Sequence, residues 1–227
     1  MAASNKTSKV KLTTEKMCEL VGCKEYSYLG DEIYPQLFDK EKRERLFKKF
    51  LDVEPDLSKE WFTETFQQYM ASLKTLAQHY TPPEIGTLLN EIIGTGGGRT
   101  LEPSAGTGML LVSRWHHDRL KTHPFHYRPS NFFYMAEEKS KKNIPFLLFN
   151  CLIRGMNAVI IHGDTLTREA EQVYYVVNED DDMMKFSYLN IMPRTKATEE
   201  YFDIREWTGE AKEHIESPNY AMQKEWG

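Results

Sequence analysis

Arg99-Thr100-Leu101-Glu102-Pro103-Ser104-Ala105-Gly106-Thr107-Gly108 reads as a short buried strand that ends on an acid and a proline, turns through two glycines and enters a helix at Met109. Residues without side-chain bulk let backbone N–H groups approach a ligand and let a helix N-terminus face it. By itself, a Gly-x-Gly is equally an ordinary strand-to-helix turn. The flanking sequence has to decide between the two.

Downstream, Asn131 to Ala136 predicts a second strand and Ala158 to Ile161 a third. Between them, Lys141 to Arg154 predicts a helix, with Pro145 marking its first turn or a kink and Gly155 as its C-cap. This alternation predicts an α/β fold, a parallel Rossmann-like sheet with right-handed crossovers. Val173 to Asn178 and Phe186 to Met192 are weaker strand candidates.

Upstream, Thr81-Pro82-Pro83-Glu84 predicts a helix start: Thr81 as cap, Pro82 at the first helical position, Glu84 closing a capping box. Ile85, Leu88, Leu89, Ile92 and Ile93 would make its buried face. Leu46, Phe47, Phe50 and Leu51 fall at helical spacing, and a further helix is predicted from Ser58, with Phe62, Phe66, Tyr69, Met70, Leu73 and Leu76 on one side. An apolar stripe at this period is the usual mark of a core face, and is read so here rather than as a platform for stacking bases. The predicted organisation is a helical N-terminal module over 1–78, an α/β domain over 79–194 and an acidic C-terminal tail over 195–227.

Composition excludes several classes. No apolar run approaches the roughly 20 residues of a membrane span, and Met1 to Lys11 is polar, without the apolar core of a signal peptide. Cys18, Cys23 and Cys151 fit neither a complete disulfide set nor a metal-site spacing, so a reduced, cytoplasmic protein is expected. His116, His117, His123 and His126 lack a carboxylate or cysteine at ligand spacing, and no metal is expected there. Glu179-Asp180-Asp181-Asp182 reads as a solvated turn. The glycines at 94–98 are followed by no Lys-Ser/Thr pair, which excludes a P-loop. The net charge of −5 is uneven: Thr165 to Gly227 holds 14 acids against 7 bases, whereas the residues before it hold 20 against 22. The last third is therefore a poor surface for DNA, whose binding rests on neutralising phosphates.

Five stretches in order carry a resemblance: His79-Tyr80-Thr81-Pro82-Pro83, then Leu101 to Gly108, Phe133-Tyr134-Met135-Ala136-Glu137, Phe149-Asn150-Cys151-Leu152-Ile153-Arg154-Gly155, and His162-Gly163-Asp164-Thr165-Leu166. Together they resemble the cofactor half of adenine-specific DNA methyltransferases, close to the modification subunits of type I restriction systems. The resemblance spans Ala77 to Leu166. It implies a Rossmann-like, S-adenosylmethionine-dependent methyltransferase sheet. The sheet is expected to be incomplete, since the roughly 33 residues after Arg194 leave too little for further strands or a target-recognition domain.

The resemblance also implies a site for S-adenosylmethionine. Tyr80, Thr81 and Pro82 would pack over the cofactor, and Glu102, Pro103, Ser104, Ala105, Gly106, Thr107 and Gly108 would form the turn against it, with Glu102 facing the ammonium. Glu137, preferred over its rival Glu138, would accept from the ribose hydroxyls, and Asp164, followed by Leu166, would bond the adenine amino group. Catalysis in the family needs an Asn/Asp-Pro-Pro-aromatic turn, which accepts from the target amine and stacks on a flipped base. No such tetrapeptide occurs in this sequence; the nearest stretch is Asn190-Ile191-Met192-Pro193, which makes Asn190 a weak catalytic candidate.

Three readings stand at this point. One is an adenine methyltransferase domain that acts with a divergent site or with a partner subunit contributing contacts to DNA. The second is a degenerate, cofactor-binding or structural member of a larger DNA-modifying complex, partnered within a restriction-modification or mobile-element system. The third is an active methyltransferase for a small molecule or protein.

Overall fold

The computed structural model describes residues 12–63, 81–94 and 98–217. Three helices open the chain. Helix α1 (Thr14–Val21) is capped by Thr13, whose hydroxyl accepts from the Lys16 N–H, and ends on Gly22 in the left-handed conformation. A 3-10 turn at Tyr26–Tyr28 leads into α2 (Leu29–Leu37), and Asp39 caps α3 (Lys40–Val53). Leu46, Phe47 and Phe50 of α3 are buried, as their spacing predicts. Residues 57–62 form a turn rather than the expected helix from Ser58. The Glu60 carboxylate accepts from the N–H groups of Phe62 and Thr63, two residues beyond the Ser58 expected at the helix start. The apolar stripe from Phe66 to Leu76 lies outside the described residues, as does Tyr80.

Helix α4 runs Pro83–Ile93 with Pro82 as its N-cap, and no side chain caps it. The expected capping box is not formed, and the double proline explains why. A residue that precedes proline is driven out of the helical region. Pro82, itself followed by Pro83, is extended at φ −60° and ψ 145°, and the helix starts one residue later. The expected buried face is also reversed: Leu88, Ile92 and Ile93 are 57%, 71% and 66% exposed. What α4 turns inward against α5 (Met109–Lys121) is Gly86 and Asn90, the latter donating to Ser113 Oγ at 3.0 Å. The period is helical as read; packing selected the small and polar side.

The described strands form one sheet: β1 (Gly98–Glu102), β2 (Phe132–Glu138), β3 (Ala158–Asp164), β4 (Glu169–Val177) and β5 (Tyr188–Ile191), in that order, with β6 (Glu206–Trp207) also on β4. β1, β2 and β3 are parallel. β4 and β5 then run antiparallel, which corrects the expectation of a mainly parallel sheet throughout. The reason is local: only a four-residue turn separates β3 from β4, and a parallel return needs a crossover of a dozen residues or more.

Because β1, β2 and β3 step in one direction, right-handed crossovers put α5 and α6 (Ile144–Ile153) on the same face. Pro145 sits in the first turn of α6, and Gly155 follows it at φ 64°. On that face Tyr134, Ala136, Ile160, Tyr174, Val176 and Leu189 join α2, α3, α5 and α6 in one core. Among the described residues this core joins Met17 to Phe62 of the N-terminal part with Ala105 to Ile191. The opposite face is thinner: Val159, Ile161 and Val173 pack under Phe202 of α7 (Lys196–Phe202) and Ile204.

The C-terminal segment, expected as an acidic tail, is folded onto the sheet as far as Ser217. His214 O accepts from the Ile191 N–H at 2.8 Å. Glu216 forms a buried, bidentate pair with Arg43 of α3, both contacts at 2.7 Å.

Candidate cofactor site

The glycine turn is built as its sequence demands. Gly106 and Gly108 have φ of 58° and 99°, where side chains are disfavoured. A Cβ on Gly108 would also lie 2.8 Å from Leu147 Cδ1, so the turn folds flat against α6. Its first N–H is spoken for, Ala105 donating to Glu137 O at 3.0 Å, and Gly108 N–H closes the turn on Ala105 O at 2.8 Å.

A cavity of about 360 Å³ opens at the carboxyl ends of β1 and β2, where open α/β sheets bind ligands. Ser104, Ala105, Gly106 and Thr107 line it with the turn itself, and Met109 and Leu110 add apolar surface from the start of α5. Two acids, Glu102 and Glu138, reach it from the strand ends, and Thr81 and Asn143 complete its wall. Burial pushes the Glu102 carboxyl above its ordinary range, an effect opposed by the Ser104 backbone N–H. Glu138 is anchored at both oxygens: Oε2 accepts from Gly106 N–H at 2.6 Å, and Oε1 from Ser140 N–H at 2.7 Å and Asn143 Nδ2 at 3.2 Å. It is therefore held against the glycine turn.

Of the expected site residues, the fold brings Thr81, Glu102, Ser104, Ala105, Gly106 and Thr107 together around this cavity. Gly108 shapes the turn from behind, and Pro82 and Pro103 stand outside the lining, Pro103 O accepting from Thr165 Oγ1 at 2.7 Å. Glu137 leaves β2 on the opposite face, where both its oxygens take Arg168 Nη1, at 2.9 and 3.1 Å. Asp164 turns to Lys139 at 2.7 Å and accepts from the Leu166 N–H at 2.8 Å. The Lys139 bond holds its carboxyl below the ordinary range. Leu166 is 89% exposed. None of these three lines the cavity.

Met109, Leu110 and Asn143 are not among the expected site residues, and Glu138 is expected only as the rival of Glu137. Strand alternation favours it: from the buried Tyr134 and Ala136 it carries Glu138 to the face covered by the crossover helices.

Asn190 stands away from the cavity on β5. It is wholly buried, its Oδ1 accepting from the N–H groups of Glu216 and Ser217 and its Nδ2 donating to Ser217 Oγ at 2.9 Å and to Tyr175 O at 3.4 Å. An amide so engaged clamps the C-terminal segment and has no valence left for a substrate. Two of the four histidines, His116 and His117, lie within α5. Among the described residues no group of three or more His, Cys, Asp or Glu is arranged to hold a metal ion, and no helix is long and apolar enough to cross a membrane.

A search of curated proteins gives no match to the chain. A family model described as N-6 DNA methylase matches residues 57–199, which takes in the glycine turn, both cavity acids and every strand from β1 to β5. The methyl donor of that family is S-adenosylmethionine, and the chain belongs to the N-6 DNA methylase family.

Proposed function

We propose that this chain is the cofactor-binding half of an adenine-specific DNA methyltransferase of the type I modification kind, and that it takes S-adenosylmethionine in the cavity at the ends of β1 and β2. The observation that carries the proposal is the pairing of Glu102 and Glu138 across a glycine turn whose backbone faces the same space. The donor set suits the group. A volume of about 360 Å³ lies within the usual range for small-molecule sites. Two carboxylates suit a ligand with an ammonium and ribose hydroxyls, and Met109 and Leu110 offer an apolar surface to a base. Glu138, rather than Glu137, is assigned the ribose hydroxyls, and Glu102 the ammonium. When bound, S-adenosylmethionine supplies an activated methyl group; the chain's own residues bind and orient it and keep water from its apolar part.

The acceptor side is assigned to a second polypeptide. The sequence has no Asn/Asp-Pro-Pro-aromatic turn, and Asn190, the nearest substitute, is engaged elsewhere. Among the described residues β1 pairs only with β2 and keeps its other edge, beside the exposed Leu101. A strand added there would bring a turn at its carboxyl end next to the cavity. The acidic C-terminal third lies on the far edge, at β4 to β6, so DNA is expected to approach from the β1 side.

Calorimetric titration with S-adenosylmethionine tests cofactor binding, and transfer of labelled methyl to duplex and single-stranded DNA at low salt tests the division of labour. Saturable binding without incorporation by the chain alone is expected. Absence of binding sinks the cofactor assignment, and robust incorporation by the chain alone sinks the two-polypeptide assignment.

A further inference from the structure

The segment over 57–63 belongs to the N-terminal part of the chain, yet it is fastened to the glycine turn from behind the cavity. Thr63 Oγ1 and Thr107 Oγ1 are 2.8 Å apart in a buried hydroxyl pair. Asn150 of α6, wholly buried, donates to Thr107 O at 2.8 Å and to Glu60 Oε1 at 2.8 Å. Its own Oδ1 accepts from Arg154 Nη1 at 2.7 Å. Arg154 donates onward to Leu57 O at 2.9 Å and Lys59 O at 2.7 Å, with its guanidinium 5.5 Å from the centre of the Trp61 ring.

Thr107 is the residue between the two glycines, and both its hydroxyl and its carbonyl are thus held. Glycine gives a turn its tight path but leaves it more conformational freedom to lose. A turn fixed beforehand spares a ligand that ordering cost. Four residues supply the fixing here, and none of them lines the cavity.

We infer that Thr63 and Asn150 are positioning residues for the cofactor turn, through which the N-terminal helical part of the chain sets the affinity for S-adenosylmethionine. This rests on the cofactor assignment made above. The helical part is thereby a working component of the site, coupled to it through Thr107 and joined to it by one core.

The test uses the full chain and S-adenosylmethionine as titrant. Thr63→Val keeps the shape and removes the hydroxyl; it is expected to bind about five- to tenfold more weakly, the equivalent of one hydrogen bond. Thr63→Ser keeps the hydroxyl and is expected to stay close to the parent. Amide exchange at Gly108, whose N–H bonds Ala105 O, should quicken in free Thr63→Val and not in Thr63→Ser. Asn150→Asp should weaken binding further, with thermal unfolding followed alongside because that site is buried. Equal affinity of Thr63→Val and the parent overturns the inference and leaves the cofactor assignment standing. So does an equal loss in Thr63→Ser, which would point to packing rather than the hydroxyl. A parent chain that binds nothing overturns both.

Discussion

Glu137 and Glu138 are consecutive on β2, yet their carboxylates serve opposite faces of the sheet: Glu138 accepts from Gly106 N–H at 2.6 Å, and Glu137 takes Arg168 at 2.9 Å. The period of two along a strand imposes the separation. One acid is at the cavity, and the other ties the β3–β4 turn to the end of β2.

The pair makes a discriminating test. Glu138→Ala should weaken S-adenosylmethionine binding by about 1–3 kcal/mol, the cost of losing a hydrogen-bonding charge. Glu137→Ala should instead lower stability by about 1–3 kcal/mol, since it removes the closer carboxylate of a partly buried arginine and leaves it only the longer contact to Asp203. Titration calorimetry and urea unfolding on both variants read the two effects separately. The reverse pattern would return the ribose role to Glu137.

Gly108→Ala should damage the turn twice over. The backbone sits at φ 99°, and the added methyl would meet Leu147 Cδ1 at 2.8 Å. A cost of about 1–3 kcal/mol is expected for a side chain forced into such a conformation, together with weaker cofactor binding. Thermal unfolding and titration check it, and Leu147→Ala in the same chain should relieve the steric part alone.

The Arg43–Glu216 pair predicts a pH dependence. Burial raises the Glu216 carboxyl, but bonds from His214 and Arg43 outweigh it and bring it down to about 2, below its ordinary 4.5. A carboxyl lowered by folding stabilises the fold fully above its unfolded value and loses that contribution as pH falls from about 4.5 to about 2. The contribution is on the order of 3 kcal/mol. Glu216→Gln should be less stable than the parent at pH 7 by about that amount, with the gap closing toward pH 2. Denaturant unfolding across that range measures it, and a gap independent of pH would refute it.

Asn190→Ala separates structure from catalysis. Removing the amide leaves the buried N–H groups of Glu216 and Ser217 without their acceptor, so stability should fall by about 1–3 kcal/mol. S-adenosylmethionine affinity should be unchanged, as Asn190 is not in the cavity wall. An altered affinity at unaltered stability would restore it to the site.

The sequence by itself determined the α/β class, the positions of the first three strands and their crossover helices, and the glycine turn. Those features are local: hydrophobic period, prolines at helix starts and glycines at positive φ act within a few residues. It did not determine which side of an element would be covered. The apolar face of α4 is helical as read, yet Gly86 and Asn90 are the residues that meet α5. Glu137 and Glu138 are equally acidic and adjacent, and only the placement of the crossover helices tells which reaches the cavity. Asn190 reads in the sequence as a weak catalytic candidate; in the fold its Oδ1 accepts from the N–H groups of Glu216 and Ser217, 26 and 27 residues away. In each case the deciding partner is distant in the chain, from 23 residues between Asn90 and Ser113 to 32 between Gly106 and Glu138. Burial and hydrogen-bond satisfaction are settled by such partners, and tertiary structure alone brings them into reach.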